Sequence, residues 1–261
     1  MIYTTPAGKT YDIFTDALSQ PHLLIAGATG SGKSVIINGL IYTALYSLPI
    51  DIPGGKEFIL IDPKRVELVQ WKEMPHTIKY ASEPTTIIAA LQYAMQLCEK
   101  RYTVMQAAGI RKYQGSDVYV IIDEFADLMT TNKRAVKPII QRLAQIGRAA
   151  RIHIILATQT PISAIIPTEI KCNFDARFAL RTRSKQDSRN ITGFAGCELL
   201  PRYGECYYIT PAETTHYIVP YIPEPQLDEM AAYWTRQTRQ QEKPEKKNSL
   251  LCRLKNHIIK S

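Results

Sequence analysis

A glycine-rich segment over residues 27–34 constrains the fold more than any other part of the chain. It follows an apolar run of strand length, residues 22–26, and precedes apolar residues that repeat at helical spacing from Ile37 to Leu48. Its residues match the pattern G-x-x-x-x-G-K-[ST] in order: Gly27, Ala28, Thr29, Gly30, Ser31, Gly32, Lys33 and Ser34. Because the strand, the loop and the helix follow one another as this pattern requires, we predict a phosphate-binding loop (P-loop). The alternative is a glycine-rich turn without a ligand.

The residue types in this loop suit a nucleoside triphosphate with its magnesium ion. Glycines let the backbone curl so that successive N–H groups and the helix N-terminus face the phosphates. We predict that Lys33 reaches the β- and γ-phosphates and that the Ser34 hydroxyl ligates Mg²⁺. ATP and Mg²⁺ are therefore the predicted cofactors, and the predicted ATP contacts are the whole loop and Val35.

Two acids, Asp123 and Glu124, follow a second apolar run at residues 118–122. In open parallel sheets, ligands bind at the carboxyl ends of the strands. We predict that Asp123 holds Mg²⁺ through water and that Glu124 orients or deprotonates the attacking water. Adjacent acids at a strand end are otherwise ordinary solvated turn residues, and it is the P-loop that favours the catalytic interpretation.

Hydrolysis needs a further argument, because kinases also have P-loops. A third apolar run ends in Thr158 and Gln159. The Gln159 amide at such a strand end is in a position to contact the γ-phosphate or the attacking water. We predict that Gln159 senses the nucleotide state, and the alternative is a plain turn residue.

Apolar runs of strand length alternate with helical patterns, which is the signature of an α/β fold. Buried parallel strands are predicted at 22–26, 58–61, 118–122 and 152–156, and helices near 37–48, 84–105 and 135–150. Later runs at 177–183, 203–210 and 216–222 predict strands that extend the same sheet. The predicted fold class is α/β, with a mostly parallel central sheet flanked by helices and extra C-terminal strands.

Composition divides the chain into four predicted parts. Residues 1–20 are predicted to pack on the core, 21–224 to form the main domain, 225–240 to form a helix, and 241–261 to be a flexible basic tail. From Arg236 onward there are eight Lys/Arg against two Glu, which leaves 24 against 22 acids before it. The net charge of +8 belongs mostly to the tail, and it does not by itself argue that the main domain binds nucleic acid.

Membrane and redox signals are weak. No run reaches the roughly 18 apolar residues that span a bilayer, and no signal peptide is visible. We predict no membrane insertion and a cytoplasmic location. The five cysteines are scattered without C-x-x-C spacing, which favours reduced thiols.

Ten short stretches, in the same order along the chain, resemble the motor domain of the FtsK/SpoIIIE DNA translocases. These stretches are residues 21–27, 27–34, 61–64, 67–68, 74–76, 99–102, 123–129, 148–150, 156–159 and 184–189. The resemblance implies a RecA-like P-loop NTPase. It also implies a homo-hexameric ring around double-stranded DNA, with ATP hydrolysed at the subunit interfaces.

The resemblance also implies roles for basic residues. Arg148 resembles the arginine that completes a neighbouring subunit's site, with a helix-terminal arginine as the alternative. Arg151 is its rival, at a position where the family usually has glycine. Lys171, Lys185 and Arg189 resemble the residues of the pore loops that contact DNA in the family. The alternative for each is a solvated surface charge, and a second alternative for Lys185 is a sensor of the nucleotide.

Departures from the family pattern shape the predicted biology. Thr160 stands where the family has arginine, and no membrane anchor, long linker, accessory domain or winged-helix module is visible. We therefore expect a stand-alone double-stranded DNA translocase of a plasmid, phage or conjugative element, with partner proteins from that element. The alternatives are a motor for single-stranded DNA, a motor for secreted polypeptide as in type VII secretion ATPases, and a slowly hydrolysing assembly subunit.

Overall fold

A computed structural model describes residues 3–4, 10–11, 13–46, 53–201 and 203–236. Strands and helices alternate along most of this length. The strands are β1 (Tyr3–Thr4), β2 (Thr10–Tyr11), β3 (His22–Ala26), β4 (Lys56–Ile61), β5 (Thr77–Ala81), β6 (Asp117–Ile122), β7 (Ile152–Thr158), β8 (Ala176–Leu180), β9 (Glu205–Ile209) and β10 (Thr214–Ile218). The helices are α1 (Ile13–Ser19), α2 (Lys33–Ala44), α3 (Pro84–Ala108), α4 (Phe125–Thr131), α5 (Lys133–Ile146), α6 (Thr168–Lys171), α7 (Lys185–Thr192) and α8 over residues 224–236. Two 3-10 turns lie at Val69–Trp71 and Cys197–Leu199.

Eight strands form one sheet in the order β10-β9-β8-β3-β7-β6-β4-β5. The pairs from β8 to β5 are parallel, while β9 and β10 add an antiparallel edge. Parallel strands point their carboxyl ends to the same edge, so the loops after β3, β6 and β7 all begin at that edge of the sheet. The P-loop is the loop after β3. The predicted α/β fold, with extra strands on the same sheet, is confirmed.

Both faces of the sheet are covered, which is why its central strands are almost wholly apolar. Leu24 and Ala26 of β3 face one core, made with α3, α4 and α5. Leu23 and Ile25 face the other, made with α1 and α2. The buried face of α1 shows that part of the segment 1–20 packs on this second core.

Several predicted boundaries were wrong, and the backbone explains why. The third predicted helix ends at Ile146 and not at 150, because Arg151 has φ 56 and turns the chain into β7. The predicted strand 203–210 begins only at Glu205, because Tyr203 has φ 79 and Gly204 has φ 89. The predicted strand 177–183 occupies Ala176–Leu180, because the next carbonyl, of Arg181, accepts from the P-loop amide of Ala28.

The predicted strand 216–222 also lies earlier, over β10, because the amide of Thr210 donates to the carbonyl of Glu213 and closes a tight hairpin. Strand β5 was missed, because it lies at the sheet edge and is only partly buried. The predicted helix 225–240 is α8 as far as residue 236. The rest of that prediction, the tail 241–261 and parts of the segment 1–20 lie outside the described residues. Within the described ranges, no helix is both long and apolar enough to cross a membrane.

Arg151 belongs to an ion cluster at the amino ends of the parallel strands, opposite the end that holds the P-loop. Nη2 of Arg151 lies 2.6 Å from Oδ2 of Asp117. Nζ of Lys56 lies 3.3 Å from the same oxygen, and Nε2 of His153 lies 3.0 Å from Oδ1 of Asp117. Burial alone would raise the pKa of Asp117, but the hydrogen bond and charge of His153, together with Lys56 and Arg151, lower it. Arg151 thus forms an ion pair within its own subunit, on a left-handed backbone that favours glycine.

Two substitutions at Arg151 separate its ion pair from its backbone conformation. Arg151→Ala removes the pair and keeps an unfavourable left-handed residue, so we expect a loss of about 2 kcal/mol in the free energy of unfolding. Arg151→Gly removes the same pair but relieves the backbone, so it is expected to be more stable than the alanine variant by about 1 kcal/mol. Urea unfolding of both variants measures this order, and a glycine variant no more stable than the alanine variant would contradict it.

Candidate active site

The P-loop is fixed at its base by the two strands beside β3. The amide of Gly27 donates to the carbonyl of Thr158 in β7 at 3.2 Å, and the amide of Ala28 to the carbonyl of Arg181 after β8 at 2.8 Å. A Cβ on Gly27 would lie 2.6 Å from Cβ of Leu180, so only glycine fits there. Gly32 has φ 108 at the start of α2, a conformation that glycine adopts without strain.

Lys33 places a positive charge at the centre of the loop. Its side chain is buried, and its Nζ donates to the carbonyls of Gly27 at 2.9 Å and Ala28 at 3.0 Å. Burial lowers the pKa of Lys33, and Glu124 and Asp123 partly oppose that shift. The first amides of α2 have no acceptor within the helix and add positive potential at the same point. The loop is therefore an anion site suited to phosphate oxygens.

Asp123 lies beside this anion site in an acidic environment. It is buried, and burial followed by the charges of Glu67, Asp62 and Glu124 raises the pKa of its carboxyl group to about 7. A divalent cation at this point would offset those like charges, so the residues fit Mg²⁺. Among the described residues, no group of three or more His, Cys, Asp or Glu is arranged to hold a metal. A magnesium ion held by Asp123 and Ser34 would complete its shell with phosphate oxygens and water.

The Glu124 carboxylate is held in place by donors from three elements. Its Oε1 accepts from Thr158 Oγ1 at 3.0 Å, from the Gln159 amide at 3.2 Å and from the Ala126 amide at 3.4 Å. Its Oε2 lies 3.4 Å from Nζ of Lys64. These contacts cap α4 and fix the carboxylate at the edge of the P-loop cavity.

Gln159 connects the end of β7 to the P-loop. The Thr29 hydroxyl donates to Oε1 of Gln159 at 2.6 Å. Gln159, Asp123 and Glu124 line one cavity of about 660 Å³ together with Val35 and with Thr29, Gly30, Gly32, Lys33 and Ser34 of the P-loop. The structure thus brings together most of the residues predicted from the motifs, although their catalytic roles stay predictions.

Lys64 and Thr158 contact Glu124, although no local sequence pattern assigns them a role; both lie in stretches that resemble the family. Lys64 follows β4, and Thr158 is the last residue of β7. Strands β4 and β7 flank β6, which delivers Glu124. Lys64 and Thr158 lie three and two residues beyond the ends of the strands predicted at 58–61 and 152–156, and only the order of the strands shows that the two residues meet at Glu124.

Arg148 lies at the amino ends of the parallel strands, whereas the P-loop lies at their carboxyl ends. It is exposed and precedes β7, whereas Gln159 follows β7. A strand of this length separates its two ends by roughly 20 Å. Arg148 therefore does not reach the P-loop cavity of its own chain.

The three basic residues predicted to contact DNA lie around α7. Lys185 and Arg189 are exposed and one helical turn apart, so they share a face of α7. Lys171 is half-buried, and its Nζ donates to the carbonyl of Asn190 at 3.0 Å. Part of the hydrogen-bonding capacity of Lys171 is thus used to fix the end of α7.

Comparison with known proteins decides the family. The FtsK/SpoIIIE family model matches residues 7–119 and 116–163, more than half of the chain. The chain belongs to the FtsK/SpoIIIE family. The DNA translocase FtsK of Rickettsia bellii is 33% identical to it over 87% of this chain and 36% of the relative, so the chain spans about a third of that protein.

Two solved structures share the fold of this FtsK/SpoIIIE chain. The conjugation coupling protein TcpA of pCW3, in its monomer form with ATPγS, has a TM-score of 0.75 at 20% identity and covers 89% of this chain and 70% of that one. The cytoplasmic domain of the type VII secretion ATPase EccC from Thermomonospora curvata has a TM-score of 0.73 at 19% identity and covers 89% and 30%. Family and fold together identify the chain as a P-loop ATPase.

Proposed function

We propose that this chain is the motor of an ATP-driven double-stranded DNA translocase that acts as a homo-hexameric ring. The observation that carries the proposal is the position of Glu124, a buried carboxylate held at the edge of the P-loop cavity beside Gln159. We propose DNA as the substrate because the FtsK relative is a DNA translocase and is similar over 87% of this chain.

Five residues of the cavity, besides the P-loop amides, have a part in the proposed hydrolysis: Lys33, Ser34, Asp123, Glu124 and Gln159. The P-loop amides and Lys33 hold the β- and γ-phosphates, and Lys33 Nζ exchanges backbone carbonyls for phosphate oxygens. Glu124 accepts a proton from the water that attacks the γ-phosphorus, the bond from that phosphorus to the bridging oxygen breaks, and ADP leaves. Ser34, and Asp123 through water, would hold Mg²⁺, and the ion would neutralise part of the phosphate charge.

The position of Arg148 supports the proposed ring. Negative charge builds on the γ-phosphate oxygens during phosphoryl transfer and is stabilised by an added cation. Arg148 is exposed at the amino ends of the strands, where a neighbouring subunit can contact it. Arg151, in contrast, forms an ion pair with Asp117 of its own subunit. A head-to-tail contact that repeats around a closed ring gives every site one donated arginine.

DNA contact in the proposal comes from α7. Lys185 and Arg189 present two exposed charges on one helix face, and Lys171 lies against the end of the same helix. Lysine and arginine contacts to phosphates provide grip without reading sequence, which suits a motor. A cytoplasmic ring that works with partner proteins of a plasmid or another mobile element completes the proposal.

Duplex DNA is expected to raise the rate of ATP hydrolysis by the purified chain at least about tenfold, because a translocase couples turnover to its track. Steady-state hydrolysis is measured with long duplex DNA, with single-stranded DNA of equal mass, and without DNA. A rate that duplex DNA leaves unchanged would contradict the proposal. A rise confined to single-stranded DNA would favour a conjugation-type motor instead.

A matched pair of double variants locates the DNA contact within the same experiment. Neutralising Lys185 and Arg189 to alanine is expected to raise the duplex concentration for half-maximal stimulation and to flatten its salt dependence by up to about two units of log–log slope. The control neutralises Lys72 and Lys100, two exposed lysines elsewhere on the surface. Equal changes in both double variants would assign the effect to overall charge and not to α7.

A further inference from the structure

One part of the lining of the P-loop cavity differs in chemistry from the catalytic residues, and we call this part the second lobe. It consists of Val35, Tyr203, Gly204, Val219 and Tyr221, all of them uncharged. Tyr203 and Tyr221 are 86% and 62% exposed, unusually open for such large aromatic side chains. Two open tyrosines beside two valines form a surface suited to a flat, apolar ligand face.

The order of strands places this lobe on the opposite side of the P-loop from the catalytic groups. Glu124 follows β6 and Gln159 follows β7, on one side of β3, whereas Tyr203 precedes β9 and Val219 follows β10, on the other side. A phosphate chain that ended at Glu124 and Gln159 would cross the P-loop towards the second lobe. The group at the other end of that chain would then lie on the side of Tyr203.

The backbone around Tyr203 is fastened directly to the P-loop. The Gly204 amide donates to the carbonyl of Ser31 at 3.2 Å, and the Val219 amide donates to the carbonyl of Gly204 at 2.8 Å. A Cβ on Gly32 would lie 3.1 Å from the Gly204 amide nitrogen, so the two glycines allow close approach. Tyr203 itself has φ 79, a left-handed conformation that is uncommon for a residue with a large side chain. The aromatic ring is thus presented on a segment fixed to the phosphate site.

We propose that Tyr203 is the stacking platform for the purine base of the bound nucleotide, with Val35 and Val219 against the base and Tyr221 at the outer side. A base has a π-face that stacks on an aromatic ring, and the apolar lobe offers this contact next to the phosphate site. The assignment rests on ATP binding by the P-loop. It adds the group that recognises the base, which no phosphate contact provides.

The test compares a nucleotide with a ligand that has phosphates but no base. Binding of a non-hydrolysable ATP analogue and of inorganic tripolyphosphate, each with Mg²⁺, is measured by calorimetry on the full chain. Tyr203→Ala is expected to weaken the analogue roughly tenfold and to leave tripolyphosphate unchanged, because only the analogue loses stacking. Tyr203→Phe keeps the ring and is expected to bind both ligands as the parent chain does. Because Tyr203 is so exposed, its truncation leaves the buried core intact.

Tyr233→Ala is the matched control, since Tyr233 is also an exposed tyrosine, 53% accessible, but lies on α8 outside this cavity. Its binding of both ligands is expected to equal that of the parent chain. Analogue binding that is unchanged in Tyr203→Ala would overturn the assignment, and so would an equal loss for both ligands, which would place the effect in the P-loop. A parent chain that binds neither ligand would contradict nucleotide binding itself, and with it the proposed function.

Discussion

Glu124→Gln is expected to reduce ATP hydrolysis at least about a hundredfold while ATP still binds, because a general base contributes on that scale to the chemical step. Glutamine keeps the size of the side chain and an oxygen that accepts from Thr158 and from the Gln159 amide. It removes only the negative charge and the ability to take a proton from water. Steady-state turnover and equilibrium ATP binding, measured on the same preparation, separate these two consequences.

Asp127→Asn is the matched control for Glu124→Gln. The Asp127 carboxylate is also approached by Lys64, at 3.8 Å, but it is half-exposed and lies in the first turn of α4. Neutralising it changes the local charge without touching the water-activating position, so turnover is expected to stay within about threefold of the parent chain. Glu124→Gln turnover within about tenfold of the parent would remove Glu124 from the role of base.

Some parts of the candidate site can be predicted from sequence and others cannot. The positions of the P-loop, Asp123 and Glu124 were predictable, because each directly follows an apolar strand and its residue types stand next to one another in the sequence. The contacts that hold Glu124 were not, because Lys64 and Thr158 reach it from β4 and β7. Their proximity depends on the order of strands in the sheet, which no local pattern encodes.

Backbone conformation accounts for the other differences between prediction and structure. Apolar patterns predicted the central strands well, since burial on both faces leaves a continuous run. They failed at Arg151 and Tyr203, where left-handed residues end or delay an element that side-chain periodicity would continue. The Tyr203 turn matters most, because the sequence predicts Tyr203 as the first residue of a strand, whereas in the structure Tyr203 precedes the strand and is open to the P-loop cavity.

The proposed ring depends on Arg148, which does not reach the P-loop cavity of its own chain. The cavity contains Lys33 and Lys64, but the described residues place no arginine on its wall. A phosphoryl-transfer site gains a large rate factor from an arginine that neutralises charge in the transition state. The proposal that Arg148 serves a neighbour therefore makes a prediction about mixtures of variants.

Arg148→Ala is expected to bind ATP normally and to lose at least about a hundredfold in hydrolysis, because a donated arginine acts on the transition state and not on ground-state binding. Lys33→Ala loses the phosphate-binding lysine but keeps Arg148. In a mixture of the two variants, some interfaces pair the intact P-loop of one with the intact arginine of the other. Equal random mixing makes about one quarter of interfaces complete, so hydrolysis is expected to return towards that fraction of the parent rate.

Two further arginine variants make the result specific. Arg142→Ala removes another exposed arginine, on α5, and is expected to hydrolyse ATP at the parent rate. Arg151→Ala is expected to do the same where the chain remains folded, because its guanidinium is committed to Asp117. A mixture that recovers nothing, although each variant still assembles, would mean that no neighbour receives Arg148. Since the length of β7 separates Arg148 from its own P-loop, that outcome would leave it no part in hydrolysis.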